Sequence, residues 1–478
     1  MKILDRTPLT TTRIRWTWRS VIVAFWLLVV TGGASAETET SMTAALGFVD
    51  NDTLYVTAEQ VTRAALQYNE ALAAASAYAD AARAEALAAW QGFLPQVHLS
   101  AMRIRSDDPL ASFGFKLNQR QVTTADFDPT LLNDPGTAEN NIMQLKLLQP
   151  IFNGGMGING KRAANAASRA AAFELARSRE QIEFQAAQTY HGLVLAKSLE
   201  RVMLDGIAAA RGHLRQAQAL VDAEMATEAD LLQAKVHLSG LEQQLIVVQN
   251  GVAMAGEYIK LLTALDSHLP LAPAPEARAA ELEPLPAASS LDGIDNRADL
   301  LAREQQVVAA ARMVGVANGT LLPHLNLSLE RYYYSRNDLF GRDAESWTVG
   351  IYGTWNLFGG LGNIGEMKRA RAARRAIAHQ FDFEVRQAKL QARQAWLDAR
   401  AAGQRVAVAH EAVAAARESQ RIVSSQYREG LASMVDLLDI QASVTRTEGD
   451  LVQALYDYQI GQANLRYSGA VSDPKEDK

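Results

Sequence analysis

Two glycine patterns come nearest to a reaction in this 478-residue chain. Gly155-x-Gly157-x-x-Gly160 follows a predicted strand and opens a helix, the order that seats a dinucleotide pyrophosphate. Gly360-x-Gly362-x-x-Gly365 repeats it. Gly155 to Lys161 also covers most of a phosphate-binding loop, but Arg162 stands where magnesium needs Ser or Thr. A βαβ unit would return a parallel strand after about 30 residues, and the helical pattern here runs far past that point. The preceding strands alternate in polarity, unlike the two-sided apolar strands of a parallel sheet. Gly154, Gly155, Gly359 and Gly360 are therefore read as strand-to-helix turns, where chain reversal alone explains glycine. His410-Glu411 lacks the second histidine of a zinc helix, since position 414 is Ala414, and no Gly-x-Ser-x-Gly elbow occurs. The sequence predicts no catalytic residue, cofactor or metal ligand, and no enzyme.

Composition narrows the field further. An absence of cysteine excludes disulfides and thiolate chemistry. A formal charge of −6 lacks the basic footprint of a nucleic-acid binder. Lys2, Arg6, Arg13, Arg15 and Arg19 precede the apolar run Val21 to Val30, and Ala34-Ser35-Ala36 supplies a small-residue cleavage pattern. Residues 1–36 thus read as a secretory signal peptide; the run is half the length of a membrane anchor. Removing it leaves a charge of −10. No other stretch is expected to be long and apolar enough for a membrane helix.

Proline placement shows the elements. None occurs between Pro150 and Pro270, or between Pro323 and Pro474, and both windows are rich in good helix formers. In the second, Ile377, Phe381, Val385, Ala388, Ala392, Ala395, Ala399, Ala402, Val406, Ala409, Val413 and Ala416 form one stripe. Its period is about 3.5 residues, that of a left-handed coiled-coil seam. A helix over 361–428 would reach about 100 Å.

The chain is also a duplication. Phe93 to Ser100 returns as Leu321 to Ser328, Ile151-Phe152-Asn153-Gly154-Gly155 as Leu357-Phe358-Gly359-Gly360, and Met225 to Leu232 as Leu431 to Leu438. Phe152 and Asp230 both recur 206 residues later. Each half reads helix, two strands, long helix, tight turn, returning helix. The first repeat spans 57–266, with a helix from Thr57 to Gln91, strands 97–105 and 142–152, long helix 155–222, turn 223–229 and helix 230–266. The second spans 294–468, with strands 324–334 and 347–358, long helix 361–428, turn 429–434 and helix 435–468. An N-terminal segment 37–56, a proline-rich linker 267–293 and a tail 469–478 complete the chain.

The strands alternate. Leu325, Leu327 and Leu329 oppose His324, Asn326, Ser328 and Glu330, while Trp347, Val349 and Ile351 share one face. Export and aromatic strand ends favour a membrane β-barrel over a soluble sheet. Four strands cannot close one, and an open edge cannot sit in lipid. The protein must therefore oligomerise, and three chains would supply twelve strands. A periplasmic coiled-coil scaffold or adaptor without a pore would explain the helices but not lipid-compatible strands.

Leu94-Pro95-Gln96, Gln149-Pro150-Ile151-Phe152-Asn153-Gly154-Gly155, Arg297-Ala298-Asp299-Leu300, Trp355-Asn356-Leu357-Phe358-Gly359-Gly360 and Gly430 with Asp436-Leu437-Leu438 resemble the TolC-like outer-membrane efflux protein family. Asp108-Pro109-Leu110 with Phe113 to Gln119 is similar to an insertion in one branch of it. The likeness covers about residues 50–470 and departs at Ala298, where the family usually has Pro. It implies a mainly α fold with a membrane β-barrel, a homotrimer with a twelve-stranded barrel in outer-membrane lipid, and a periplasmic α-helical coiled-coil tunnel. It further implies a periplasmic adaptor protein and an inner-membrane pump as partners, and passive conduction in tripartite efflux or type I secretion. By resemblance, Asp436 and Asp439 match a carboxylate ring at the tunnel entrance, Asp230 a gate position and Tyr427 its partner. Ala432 stands where an arginine often holds this gate, so closure is expected to rest on other bonds. Threefold symmetry would crowd six carboxylates and push their pKa values upward. Met225, Ala226, Leu431, Ala432 and Ser433 are the expected adaptor contact.

Overall fold

The computed structural model describes residues 46–275, 284–285 and 293–470. The predicted signal peptide 1–36 lies outside these residues, as do most of the linker and of the C-terminal tail. The elements run β1 (Gly47–Asp50), β2 (Thr53–Val56), α1 (Ala58–Tyr68), α2 (Glu70–Ala88), β3 (Gln96–Ser106), α3 (Pro109–Asn118), α4 (Pro129–Asn133), β4 (Ala138–Asn153), α5 (Met156–Asp222) and α6 (Glu228–Thr263). The chain continues through β5 (Leu271–Pro273), α7 (Ala298–Gly319), β6 (His324–Ser335), β7 (Ala344–Thr354), α8 (Gly362–Arg428) and α9 (Met434–Tyr467).

Both α5 and α8 have 67 residues, so each is about 100 Å long. Alanine lets them lie close to their neighbours. Along α8, Ala388, Ala392, Ala395, Ala399, Ala402, Val406, Val413 and Ala416 are buried, the middle and end of the predicted stripe. The approach is tightest at Gly461 of α9, where an added Cβ would lie 2.9 Å from the Ala399 Cα. In the first repeat, Ile182, Ala186, Tyr190 and Leu193 of α5 pack with Val61, Ala64 and Ala65 of α1 and Ile259 of α6.

The helix expected from Thr57 to Gln91 is two helices. Thr57 and Gln60 form a capping box at its start, with Gln60 N donating to Thr57 Oγ1 at 3.3 Å and Thr57 N to Gln60 Oε1 at 3.0 Å. Asn69 then leaves the helical region and caps α2 by accepting from Leu72 N. Its Nδ2 donates to Leu262 O at 2.9 Å, tying the break to the end of α6. The N-terminal segment also holds structure that its sequence did not announce. β1 and β2 pair antiparallel, and β2 pairs parallel with β5 from the linker.

One expectation about hydropathy fails. Helix α6 is long and apolar enough to cross a membrane by length and composition. It instead runs beside α5, with Val236, Val247, Met254 and Leu261 exposed on its far side.

The four predicted strands form one antiparallel sheet in the order β3-β4-β6-β7. Register sorts its faces: Leu99, Leu145 and Arg331 lie in one row, and Leu147, Leu329 and Val349 in another. These residues belong to a face that is apolar near the helices and turns charged toward the far end, at Arg103, Glu139, Arg331 and Glu345. The other face carries Ser100, Gln144, Lys146, Glu330 and Tyr332, joined by a Lys146–Glu330 ion pair at 2.9 Å and by Gln144 Nε2 donating to Tyr332 Oη at 3.0 Å. β3 and β7 are free edges within the chain, and the sheet is not closed.

Candidate gate at the helical tips

The two hairpin turns are built from the same hydrogen bonds. At the first, Met225 N donates to Leu220 O at 2.8 Å, and Glu224 takes the left-handed conformation that ends α5. At the second, Leu431 N donates to Gln426 O at 2.8 Å, and Gly430 holds the left-handed position. This is the paired-bond ending that satisfies the last carbonyls of a helix. Two residues on, Thr227 and Ser433 start the returning helices with capping boxes closed by Asp230 and Asp436. Asp230 Oδ2 accepts from Thr227 N at 3.1 Å and Oγ1 at 2.8 Å. Asp436 Oδ2 accepts from Ser433 N at 2.9 Å and Oγ at 2.6 Å.

Asp230 and Asp436 thus hold the third helical position of a capping box in both repeats. Within one chain, the Ser433 hydroxyl and amide hold the Asp436 carboxyl below the ordinary aspartate value. Asp439 lies one turn on and is exposed. Its charge bears on His237 of α6, whose imidazole burial keeps neutral to lower pH and Asp439 partly offsets.

Tyr427 is buried in the last turn of α8, among Ala217 of α5, Leu231 and Ala234 of α6, and Met434 and Leu437 of α9. All four tip helices meet there. Burial first, and the Asp230 charge second, raise its phenol above the usual tyrosine value. Its Oη makes no hydrogen bond in the described structure, so the Tyr427–Asp230 pairing is one of proximity. Ala432 packs against the same cluster. Among the described residues, no ion pair joins the two turns, and Ala432 meets the cluster through apolar contact alone. Met225 and Leu431 protrude at equivalent positions, 76% and 74% exposed, while Ala226 is half-buried and Ser433 exposed.

At the opposite ends of the long helices, the four predicted glycines lie between strand and helix, but the two junctions use them differently. Gly154 and Gly155 are both left-handed, with φ of 61° and 77°. In the second repeat the left-handed pair is Gly360 and Leu361, with φ of 62° and 72°, and Gly359 is ordinary backbone. The repeat offset of 206 residues carries Gly154 onto Gly360 and Gly155 onto Leu361, and is the sequence signal for this difference.

Two antiparallel hairpins of such length, standing on a sheet with one apolar and one polar face, are the parts of which a membrane channel-tunnel is built. Residues 61–264 and 292–468 match the outer membrane efflux protein family, and the chain belongs to it. Membership makes it an efflux channel of the Gram-negative outer membrane with a large helical part in the periplasm, in a family of transport proteins rather than enzymes. No curated protein matches the chain. Among solved structures it is similar to CusC, described for conformational changes accompanying folding and transmembrane channel formation. That match has 16% identity, a TM-score of 0.76, and 90% of this chain and 96% of that one covered. It is also similar to the CmeC outer membrane channel of Campylobacter jejuni (16%, TM-score 0.73, 98% and 96% covered). A third is VceC of Vibrio cholerae (19%, TM-score 0.72, 87% and 96% covered). These likenesses are of fold.

Proposed function

We propose that three copies of the chain close a twelve-stranded barrel and continue it as a periplasmic tunnel. This conduit passively carries substrate from a periplasmic adaptor and inner-membrane pump, in tripartite efflux or type I secretion. The observation that carries this reading is the sheet: an apolar face, a polar face and two free edges, β3 and β7. A lone open edge is untenable in lipid, and β7 of one copy beside β3 of the next removes every edge. The helices support the same assembly. Val236, Val247, Met254 and Leu261 on α6, and Phe383, Leu390, Leu397 and Val408 on α8, are exposed at heptad-related spacings. Such seams call for partner helices.

The chain has no cysteine, which makes crosslinking clean. Single cysteines placed on β3 and β7 together should form disulfide-linked trimers in outer-membrane fractions; monomers alone would overturn the reading. At the tip, Asp230, Tyr427, Asp436 and Asp439 form the periplasmic gate, and Met225, Ala226, Leu431, Ala432 and Ser433 the adaptor contact. The double variant Asp436→Ala, Asp439→Ala should lose cation selectivity and cation block in planar bilayers, and unchanged values would remove the carboxylates from the gate.

A further inference from the structure

The β3–β4 connection is far longer than the β6–β7 connection, and it folds. Asp108 caps α3 by accepting from Ala111 N at 2.7 Å, with Pro109 in the first helical turn. Lys116 Nζ donates to Asp126 Oδ1 at 2.7 Å, and Phe113 meets Phe127 edge-to-face at 5.6 Å. The insertion is a closed unit rather than a trailing loop.

Its position on the sheet decides its meaning. Gln119 Nε2 donates to Glu139 O at 2.8 Å and to Asn140 Oδ1 at 3.0 Å. Arg120 Nη2 reaches Glu345 O on β7 at 3.0 Å. α3 therefore crosses from β4 to β7 at the end of the sheet away from the helices. Asn140 alternates in step with Gln144 and Lys146, and register puts Tyr334 and Ala344 on the same polar face. All three are buried, and the Gln119 bond to the Asn140 side chain puts the insertion on this face. In a closed barrel the polar face lines the lumen.

We propose that residues 107–137 fold into the lumen as a plug that forms the outer constriction of the pore and sets its outward size selectivity. The plug rests on the barrel reading above. Three copies meet at the mouth, and each brings Asp107, Asp108, Asp126, Asp128 and Asp134 against Lys116 and Arg120. The mouth is thereby acidic as well as narrow.

The test uses bulky polyethylene glycol maleimide on intact cells carrying the full-length chain. Ser100→Cys places a thiol on the lumen face below the plug, and Leu99→Cys places one on the lipid face. Replacing residues 109–135 by a short Gly-Ser linker should speed labelling of Ser100→Cys by at least about tenfold, since removing the insertion exceeds the population factor that losing one or two net hydrogen bonds supplies. Gln119→Ala with Arg120→Ala keeps the insertion but cuts its anchors, and should speed it in the same direction. Equal Ser100→Cys rates in all three backgrounds, with Leu99→Cys silent, would overturn the plug and leave the barrel standing. Leu99→Cys labelling as fast as Ser100→Cys in the otherwise unaltered chain would overturn the barrel reading itself.

Discussion

The two repeats share their hydrogen bonds and differ in their strain. Both tips end a 67-residue helix with the same paired bonds and start the return with the same box. Yet the left-handed residue is Glu224 in one and Gly430 in the other. At the strand-to-helix junctions the imbalance is reversed: Gly155 in the first repeat, Leu361 in the second. A non-glycine residue in this conformation costs about 1–2 kcal/mol. Polar satisfaction of helix ends has been kept in both copies, since an orphaned terminus loses several bonds at once. The left-handed side chain, by contrast, sits at the tip in one copy and at the strand-to-helix junction in the other.

The largest test of this comparison sits at equivalent glycines. A Cβ on Gly154 would lie 2.3 Å from Gly319 O, whereas one on Gly360 meets nothing within 4 Å. Gly154→Ala should therefore lose about 3 kcal/mol from clash and strain together, against about 1 kcal/mol for Gly360→Ala from strain alone. Denaturant midpoints of the purified protein measure both, and equal losses would mean that the junctions are packed alike.

The caps come next. Thr227→Ala and Ser433→Ala should each cost about 1 kcal/mol of helix-end stability, read as faster amide hydrogen exchange in the first turns of α6 and α9. At the second tip the effect carries a pH signature. The Asp436 carboxyl is held below its unfolded value, so its contribution is complete above that value and is lost as pH falls through the folded one. Protection of the α9 first turn should decline on that acid side and should be flat there in Asp436→Asn.

The smallest effect is a gain. Leu361→Gly and Glu224→Gly each relieve a left-handed side chain and should stabilise by about 0.5–1 kcal/mol after the added freedom of the unfolded chain is subtracted. A loss at either position would place those side chains in contacts that outweigh their strain.

Much of the architecture was legible because periodic burial writes itself into sequence. The alanine stripe of α8, the alternating faces of β6 and β7, and the Thr57 box all depend on near neighbours in the chain. What was missed depends on distant ones. Asn69 looks like an ordinary helical residue until the Leu262 carbonyl is there to take its amide. The membrane-like composition of α6 reflects a seam that α5 leaves bare. Which side of the sheet the insertion covers turns on Gln119 meeting Asn140 and Arg120 meeting Glu345, and no local pattern encodes that. At the tip, the Asp–x–x–Asp spacing and the Ser433-x-x-Asp436 box are both local patterns, whereas the meeting of all four tip helices around Tyr427 is not.

The parallel pair of β2 with β5 has a consequence for the order of assembly. Leu54 pairs with Leu271, and Val56 with Pro273, so one short ladder joins the beginning of the first repeat to the chain just past its end. Ladder closure needs nothing from α7, β6, β7, α8 or α9. A chain delivered N-terminus first can fasten its first half into a finished ring before its second half has arrived. The entropy of joining such distant ends is met once, and it grows only slowly with the length enclosed. A second half arriving later would meet a template already in place, which two repeats without this ladder would not provide.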